Sequence, residues 1–162
     1  NGWNAVINTV LNGTAYCTLA AGKQMLKQRR GKILSISAAY AWYGGPGTVH
    51  SAAAKAGVIA LTQTLAVEWG PSNVQINCLC PGFVDTDLVR HLSDELGRPD
   101  VIPSFLMLDA AEVAREGYEA CMKGEVVHLN GRTYELMVQW LRLQPRWLVR
   151  TISGFVSRHY AD

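Results

Sequence analysis

The strongest constraint on the fold is an alternation of long helical-period runs with short runs of branched residues. From Trp3 to Lys27, apolar side chains recur at helical spacing (Val6, Val10, Leu11, Ala15, Leu19, Met25, Leu26), and basic residues gather toward the end, where they suit the helix dipole. This pattern predicts one long helix. Lys32–Ser37 (KILSIS) is short, branched and bounded by Gly31, which predicts a strand leaving the Arg29-Arg30-Gly31 turn. Residues 40–49 read as loop, because Gly44, Gly45, Pro46 and Gly47 cluster there. A second long helix is predicted from His50 to Trp69, stopped by Gly70-Pro71, followed by a strand over Asn73–Leu79 (NVQINCL). Pro81 and Gly82 open the next loop. Asp109–Lys123 has the amphipathic period of a helix, with Asp109 placed to cap it and Gly124 to end it, and Glu125–Leu129 gives a last strand. The order helix, strand, helix, strand, helix, strand predicts an α/β fold with a parallel sheet of about three strands covered by helices.

Two further helices, Tyr134–Leu143 and Trp147–Ser157, are predicted on either side of Pro145, each with an apolar stripe and arginines beside it. Such helices pack against the body of the fold or another subunit, and basic amphipathic helices also permit contact with a membrane surface or acyl-lipid assembly. The chain is therefore divided into a body over 1–131 and a helical C-terminal extension over 132–162.

The 162 residues suit one domain and suffice for a real core. Charged residues make up 17%, below the roughly 25% usual for soluble domains, which predicts that much of the surface packs against something. A net charge of +2 with basic residues scattered until the tail argues against a nucleic-acid partner. The four cysteines, Cys17, Cys78, Cys80 and Cys121, show neither CxxC spacing nor a dense disulfide pattern, which favours a reduced setting and argues against zinc. Cys78 and Cys80, two apart on a strand, would share one face and pack as small hydrophobes. The sequence has no signal-peptide pattern and no apolar run reaching the roughly 18 residues needed to span a bilayer, so a cytoplasmic location is expected.

Ser51 and Lys55 lie four apart at the head of the second helix, so their side chains share a face. Tyr40 follows the first strand, at the carboxyl edge where parallel α/β sheets bind ligands. Taken alone, each fits a solvated or packing role as well as a functional one. Trp42 and Tyr43 can line an acyl site or cover the core. His50 points about 100° away from Ser51 around the helix, which argues against a Ser-His pair.

Val49–Thr86 (VHSAAAKAGVIALTQTLAVEWGPSNVQINCLCPGFVDT) resembles the active-site helix, following strand and PG loop of the short-chain dehydrogenase/reductase family. That family usually has a tyrosine four residues before the lysine, where this chain has Ser51. The 2,4-dienoyl-CoA reductase branch shares this departure and carries its catalytic tyrosine 11 residues upstream, here Tyr40. Val10–Lys27 (VLNGTAYCTLAAGKQMLK) is similar to the same branch, including Val10 where most of the family has a helix asparagine. The resemblance implies the C-terminal part of a Rossmann-like sheet and NADPH-dependent (or NADH-dependent) reduction of a dienoyl thioester. It implies that Tyr40 hydrogen-bonds the thioester oxygen, with an asparagine that the branch carries ahead of residue 1. Lys55 would hold the nicotinamide ribose, Ser51 would hydrogen-bond near the thioester or cofactor, and Pro81, Gly82, Val84 and Thr86 would hold the nicotinamide carboxamide.

Three alternatives stand beside this reading: a generic 3-oxoacyl or carbonyl reductase acting on a small carbonyl substrate, a noncatalytic assembly protein, and a hydrolase in which Lys55 activates Ser51. The family's glycine-rich dinucleotide turn is not found in these 162 residues. The resemblance starts at the family's fourth helix and retains its fifth, sixth and seventh strands, leaving one sheet edge open. An open edge favours pairing with another chain, so the expected partner is a second copy or a separately encoded N-terminal half. After about Leu88, AAEVAREGYEACMKGEVVHLNG and the arginine-bearing tail resemble other reductases of the superfamily with a longer hydrophobic C-terminus.

Overall fold

The periodic first segment forms a continuous helical rod in the computed structural model, which describes residues 2–45, 47–87, 89–91, 104–145, 148 and 151. The rod consists of α1 (Gly2–Val6), a π-helical stretch (Ile7–Asn12) and α2 (Gly13–Gln28). Val10 and Leu11, inside the wide turn, pack against Val58 and Ile59 of the next long helix. The rod ends where Arg29 enters the left-handed region (φ 53°) and the amides of Arg29 and Arg30 close on the carbonyls of Leu26 and Met25.

β1 (Gly31–Ile36) follows, then a short α3 (Tyr40–Tyr43), α4 (Val49–Trp69) and β2 (Val74–Cys80). The predicted loop over 40–49 thus begins with a helical turn, a correction to the sequence reading. The cause is tertiary, since Ala41 and Trp42 pack onto the buried cluster of Val58, Ile59, Cys78 and Cys80.

The sheet is parallel with order β1-β2-β5, β5 being Val127–Leu129. β1 pairs with β2 from Gly31↔Val74 to Ile36↔Leu79, and β2 pairs with β5 from Cys78↔Val127 to Cys80↔Leu129. As the central strand, β2 is buried at every position except Gln75, as expected where helices cover both faces. Val74 and Ile76 join Leu65 and Trp69 of α4 in a second buried cluster, closed from the rod by Met25 and Leu26. Cys78 and Cys80 face the same way and are buried. On the other face lies α5 (Ala110–Lys123), which turns Val113, Gly117, Ala120 and Cys121 inward, with Gly117 set close against Leu79.

Asp109 caps α5 as predicted, its Oδ1 accepting from the Glu112 amide at 2.9 Å, and Gly124 ends the helix at φ 82°. Lys32 of β1 donates to the carbonyls of Cys121 and Met122 at the last turn of α5, where a cation is favoured by the helix dipole. Leu34 and Ile36 on the same edge strand are exposed.

A second, two-stranded parallel sheet pairs β3 (Phe83–Val84) with β4 (Met107–Leu108). The last described helix, α6 (Arg132–Leu143), packs against α3 and buries Tyr134 and Val138. The predicted helix over Trp147–Ser157 lies outside the described residues apart from 148 and 151. Among the described residues, no helix is long and apolar enough to cross a membrane, and no three His, Cys, Asp or Glu side chains gather as metal ligands.

Candidate active site

The chain leaves β1 through Ser37, Ala38 and Ala39, and main-chain bonds tie this exit to the exit from β2. The Ser37 amide donates to the Leu79 carbonyl at 2.7 Å, and the Ala39 amide to the Pro81 carbonyl at 2.8 Å. Tyr40, next in the chain, is therefore held beside the Pro81-Gly82 loop at the carboxyl edge of the sheet. Two reciprocal bonds anchor α4 to the same place. Ser37 Oγ donates to the Lys55 carbonyl at 2.9 Å, and Lys55 Nζ donates to the Ile36 carbonyl at 2.8 Å.

This framework brings Tyr40 and Ser51 together, with 2.7 Å between their hydroxyl oxygens. Lys55 lies one turn further along α4, and its ammonium bonds to the end of β1. Burial holds the Lys55 pKa below the usual lysine value, while the Cys78 and Cys80 thiols act in the opposite sense. The neighbouring Cys80 thiol, then burial, push the Cys78 thiol up, and the Cys78 thiol in turn draws Cys80 down. Trp42 packs against the buried cluster of Val58, Ile59, Cys78 and Cys80, whereas Tyr43 lies half-buried near the phenols of Tyr134 and Tyr40. Burial, then those two phenols, push its pKa to about 12.

The loop candidates are held by several contacts. Pro81 gives its carbonyl to Ala39, and a Cβ built on Gly82 would overlap the ring of Tyr134. Val84 pairs with Leu108, and Thr86 Oγ1 accepts from the Val89 amide at 3.4 Å. Just beyond, Arg90 makes a two-pronged pair with Asp85, both bonds 2.9 Å, which fixes the end of the segment. Sequence reasoning missed Tyr134, whose hydroxyl bonds to Phe83 and Leu106. No local signal pointed to it, because its partners lie 51 and 28 positions away in the chain.

A model of the short chain dehydrogenase family matches residues 1–97. The chain belongs to that family. It is 53% identical over 87 residues to a probable 2,4-dienoyl-CoA reductase of Bacillus subtilis, covering 52% of this chain and 34% of that protein. It is 43% identical over 139 residues to a 3-oxoacyl-[acyl-carrier-protein] reductase of Synechocystis, covering 80% of this chain and 55% of the relative. The chain thus spans between a third and somewhat over half of these relatives. Among solved structures, a short chain dehydrogenase from Bacillus anthracis superposes with TM-score 0.62 at 40% identity, over 80% of this chain and 53% of that one. The NADP-bound structure of ElxO gives TM-score 0.70 at 26% identity, over 78% and 55%. The Rossmann-like parallel sheet inferred from the sequence is thus the fold that the chain shares with its relatives.

Proposed function

We propose that this chain carries the catalytic end of an oxidoreductase that uses NADPH or NADH to reduce 2,4-dienoyl-CoA thioesters. The observation that carries the reading is the 2.7 Å contact between Tyr40 and Ser51. It supports a phenol that reaches the reacting oxygen from the loop, with the α4 serine as its partner.

The donor set fits the nicotinamide end of a dinucleotide. The Lys55 ammonium suits the ribose hydroxyls, and the ordered Pro81, Gly82, Val84 and Thr86 segment offers main-chain groups to a carboxamide. Among the described residues, no glycine-rich turn leads from a strand into a helix N-terminus, so the fit extends to that end alone. When bound, the cofactor supplies hydride to the far end of the diene. Tyr40 donates a hydrogen bond to the thioester oxygen, where negative charge collects, and stabilises it by the logic of an oxyanion hole. Ser51 serves as partner to the Tyr40 oxygen as its proton shifts toward the substrate. Lys55, one turn along α4 from Ser51, adds positive charge at the same end of the site.

A 3-oxoacyl reductase is the second reading, favoured by the greater share of this chain, 80%, that matches such enzymes. The Ser-Lys hydrolase loses support because Lys55 Nζ bonds to Ile36 and the Ser51 hydroxyl bonds to Tyr40. The exposed Leu34 and Ile36 on edge strand β1 support a partner along that edge, a second copy or a separately encoded half. The functional test mixes the chain with NADPH and either a 2,4-dienoyl-CoA or a 3-oxoacyl thioester and follows cofactor absorbance. Consumption with the dienoyl substrate is expected. Consumption with the 3-oxoacyl substrate alone would establish the second reading, and consumption with neither would overturn both.

A further inference from the structure

Among the described residues, a buried polar group apart from Tyr40, Ser51 and Lys55 that joins two distant segments is the Tyr134 phenol in the first turn of α6. The residue is only 1% exposed. Its hydroxyl sits between two main-chain segments, accepting from the Phe83 amide at 3.0 Å and donating to the Leu106 carbonyl at 2.7 Å. Phe83 opens β3, and Leu106 immediately precedes β4. One hydroxyl therefore fastens the start of a parallel pair that has only the registers Phe83↔Met107 and Val84↔Leu108, extended by the Asp85 amide on the Leu108 carbonyl at 2.9 Å. Isolated two-stranded pairing is marginal in water, so so short a pair needs outside support. The same ring occupies the space that a side chain at Gly82 would fill. Close approach of the ring therefore requires glycine at 82.

We propose that Tyr134 is a positioning residue for the nicotinamide end of the site. By bridging Phe83 and Leu106 it shapes the Pro81–Thr86 segment and makes α6 part of the cofactor-binding apparatus. This inference rests on the reading above, in which that segment holds the nicotinamide carboxamide. A segment ordered before the ligand arrives spares the complex the cost of ordering it on binding. Loss of the bridge is therefore felt in cofactor affinity, while the Tyr40–Ser51 pair, anchored through β1 and α4, stays in place.

The test compares the full chain with Tyr134→Phe, which keeps the ring over Gly82 and removes both hydrogen bonds. Hydrogen exchange across residues 82–86 is measured alongside the Kd for NADPH, the KM for the dienoyl thioester and kcat at saturating NADPH. The expected result is faster exchange at Phe83 and an NADPH Kd raised about tenfold, the scale of one lost buried hydrogen bond. Thioester KM and kcat at saturation stay near wild type. A merely structural role would not produce that split. Unchanged exchange at Phe83, or faster exchange with wild-type NADPH affinity, would overturn the proposal. If wild type itself binds no NADPH, the reading of the loop falls and the proposal with it, an outcome distinct from wild type and variant binding equally well. Should Tyr134→Phe lose its helical circular dichroism, Tyr134→His, which keeps a hydrogen-bonding ring at that position, is measured in its place. NADPH affinity is then expected to fall in step with faster exchange at Phe83, and either change without the other would overturn the proposal.

Discussion

Replacing Gly22 by alanine should destabilise the chain although it improves helix propensity. Gly22 is buried in α2, and a Cβ built there would lie 3.1 Å from Trp69 Cζ2 and closer still to two further ring carbons. The indole has little room to retreat, because Trp69 packs in a buried cluster with Leu65, Val74 and Ile76, flanked by Met25, Leu26 and Ile33. Alanine in a helix interior gains about 1 kcal/mol over glycine, whereas overpacking a tight core costs about 1–3 kcal/mol. The balance is a net loss of about 1 kcal/mol. Gly13 is the control in the same rod, since its Cβ would meet only the Asn8 carbonyl of its own helix at 3.6 Å, an ordinary contact. Gly13→Ala should therefore gain about 0.5–1 kcal/mol, leaving the two variants about 2 kcal/mol apart in opposite directions. Urea unfolding followed by circular dichroism reads both from midpoint and slope. Equal upward shifts in the two variants would refute the argument that the rod and the end of α4 are in tight contact. That contact matters to function because Trp69 ends the helix that carries Ser51 and Lys55.

Two further perturbations test local features. Asp109→Ala removes the acceptor for the Glu112 amide and should cost about 1 kcal/mol, with Asp109→Asn close to wild type; equal urea midpoints for Asp109→Ala and wild type would count against the cap. Burial, then the Tyr134 and Tyr40 phenols, raise Tyr43 from 10.0 to about 12. A folded-state value above the unfolded one means that this contribution is full below pH 10 and is lost as pH rises toward about 12. Tyr43→Phe should flatten the fall in stability across that window, and an unchanged slope in pH-dependent urea unfolding would contradict the burial.

The parallel sheet was legible in the sequence because its determinants are local. KILSIS and NVQINCL are branched, are bounded by turn residues and sit between long helical periods, and Asp109 and Gly124 mark the ends of α5 by cap chemistry alone. Elements governed by distant contacts were not legible. The π-helical stretch coincides with Val10 and Leu11 meeting α4, and α3 coincides with Trp42 docking onto the Cys80 cluster in spite of the glycines beyond it. The β3–β4 pair has only two residues per strand and depends on Tyr134, some 51 positions from Phe83. The site divides in the same way. Spacing alone placed Ser51 and Lys55 on one face, but nothing local tied Tyr40 to Ser51, and only the resemblance to dienoyl-CoA reductases joined them. Their contact in the structure follows from the stitching of Ser37 and Ala39 onto Leu79 and Pro81.

The central claim is that the Tyr40 phenol, partnered by Ser51, stabilises charge on the substrate oxygen. Its most direct test is the steady-state rate of NADPH consumption with a 2,4-dienoyl-CoA, compared between wild type and Tyr40→Phe at matched folding. The account predicts a fall in kcat of about 10²-fold or more, the usual scale for a lost general acid, whereas turnover unaffected by the substitution would contradict it.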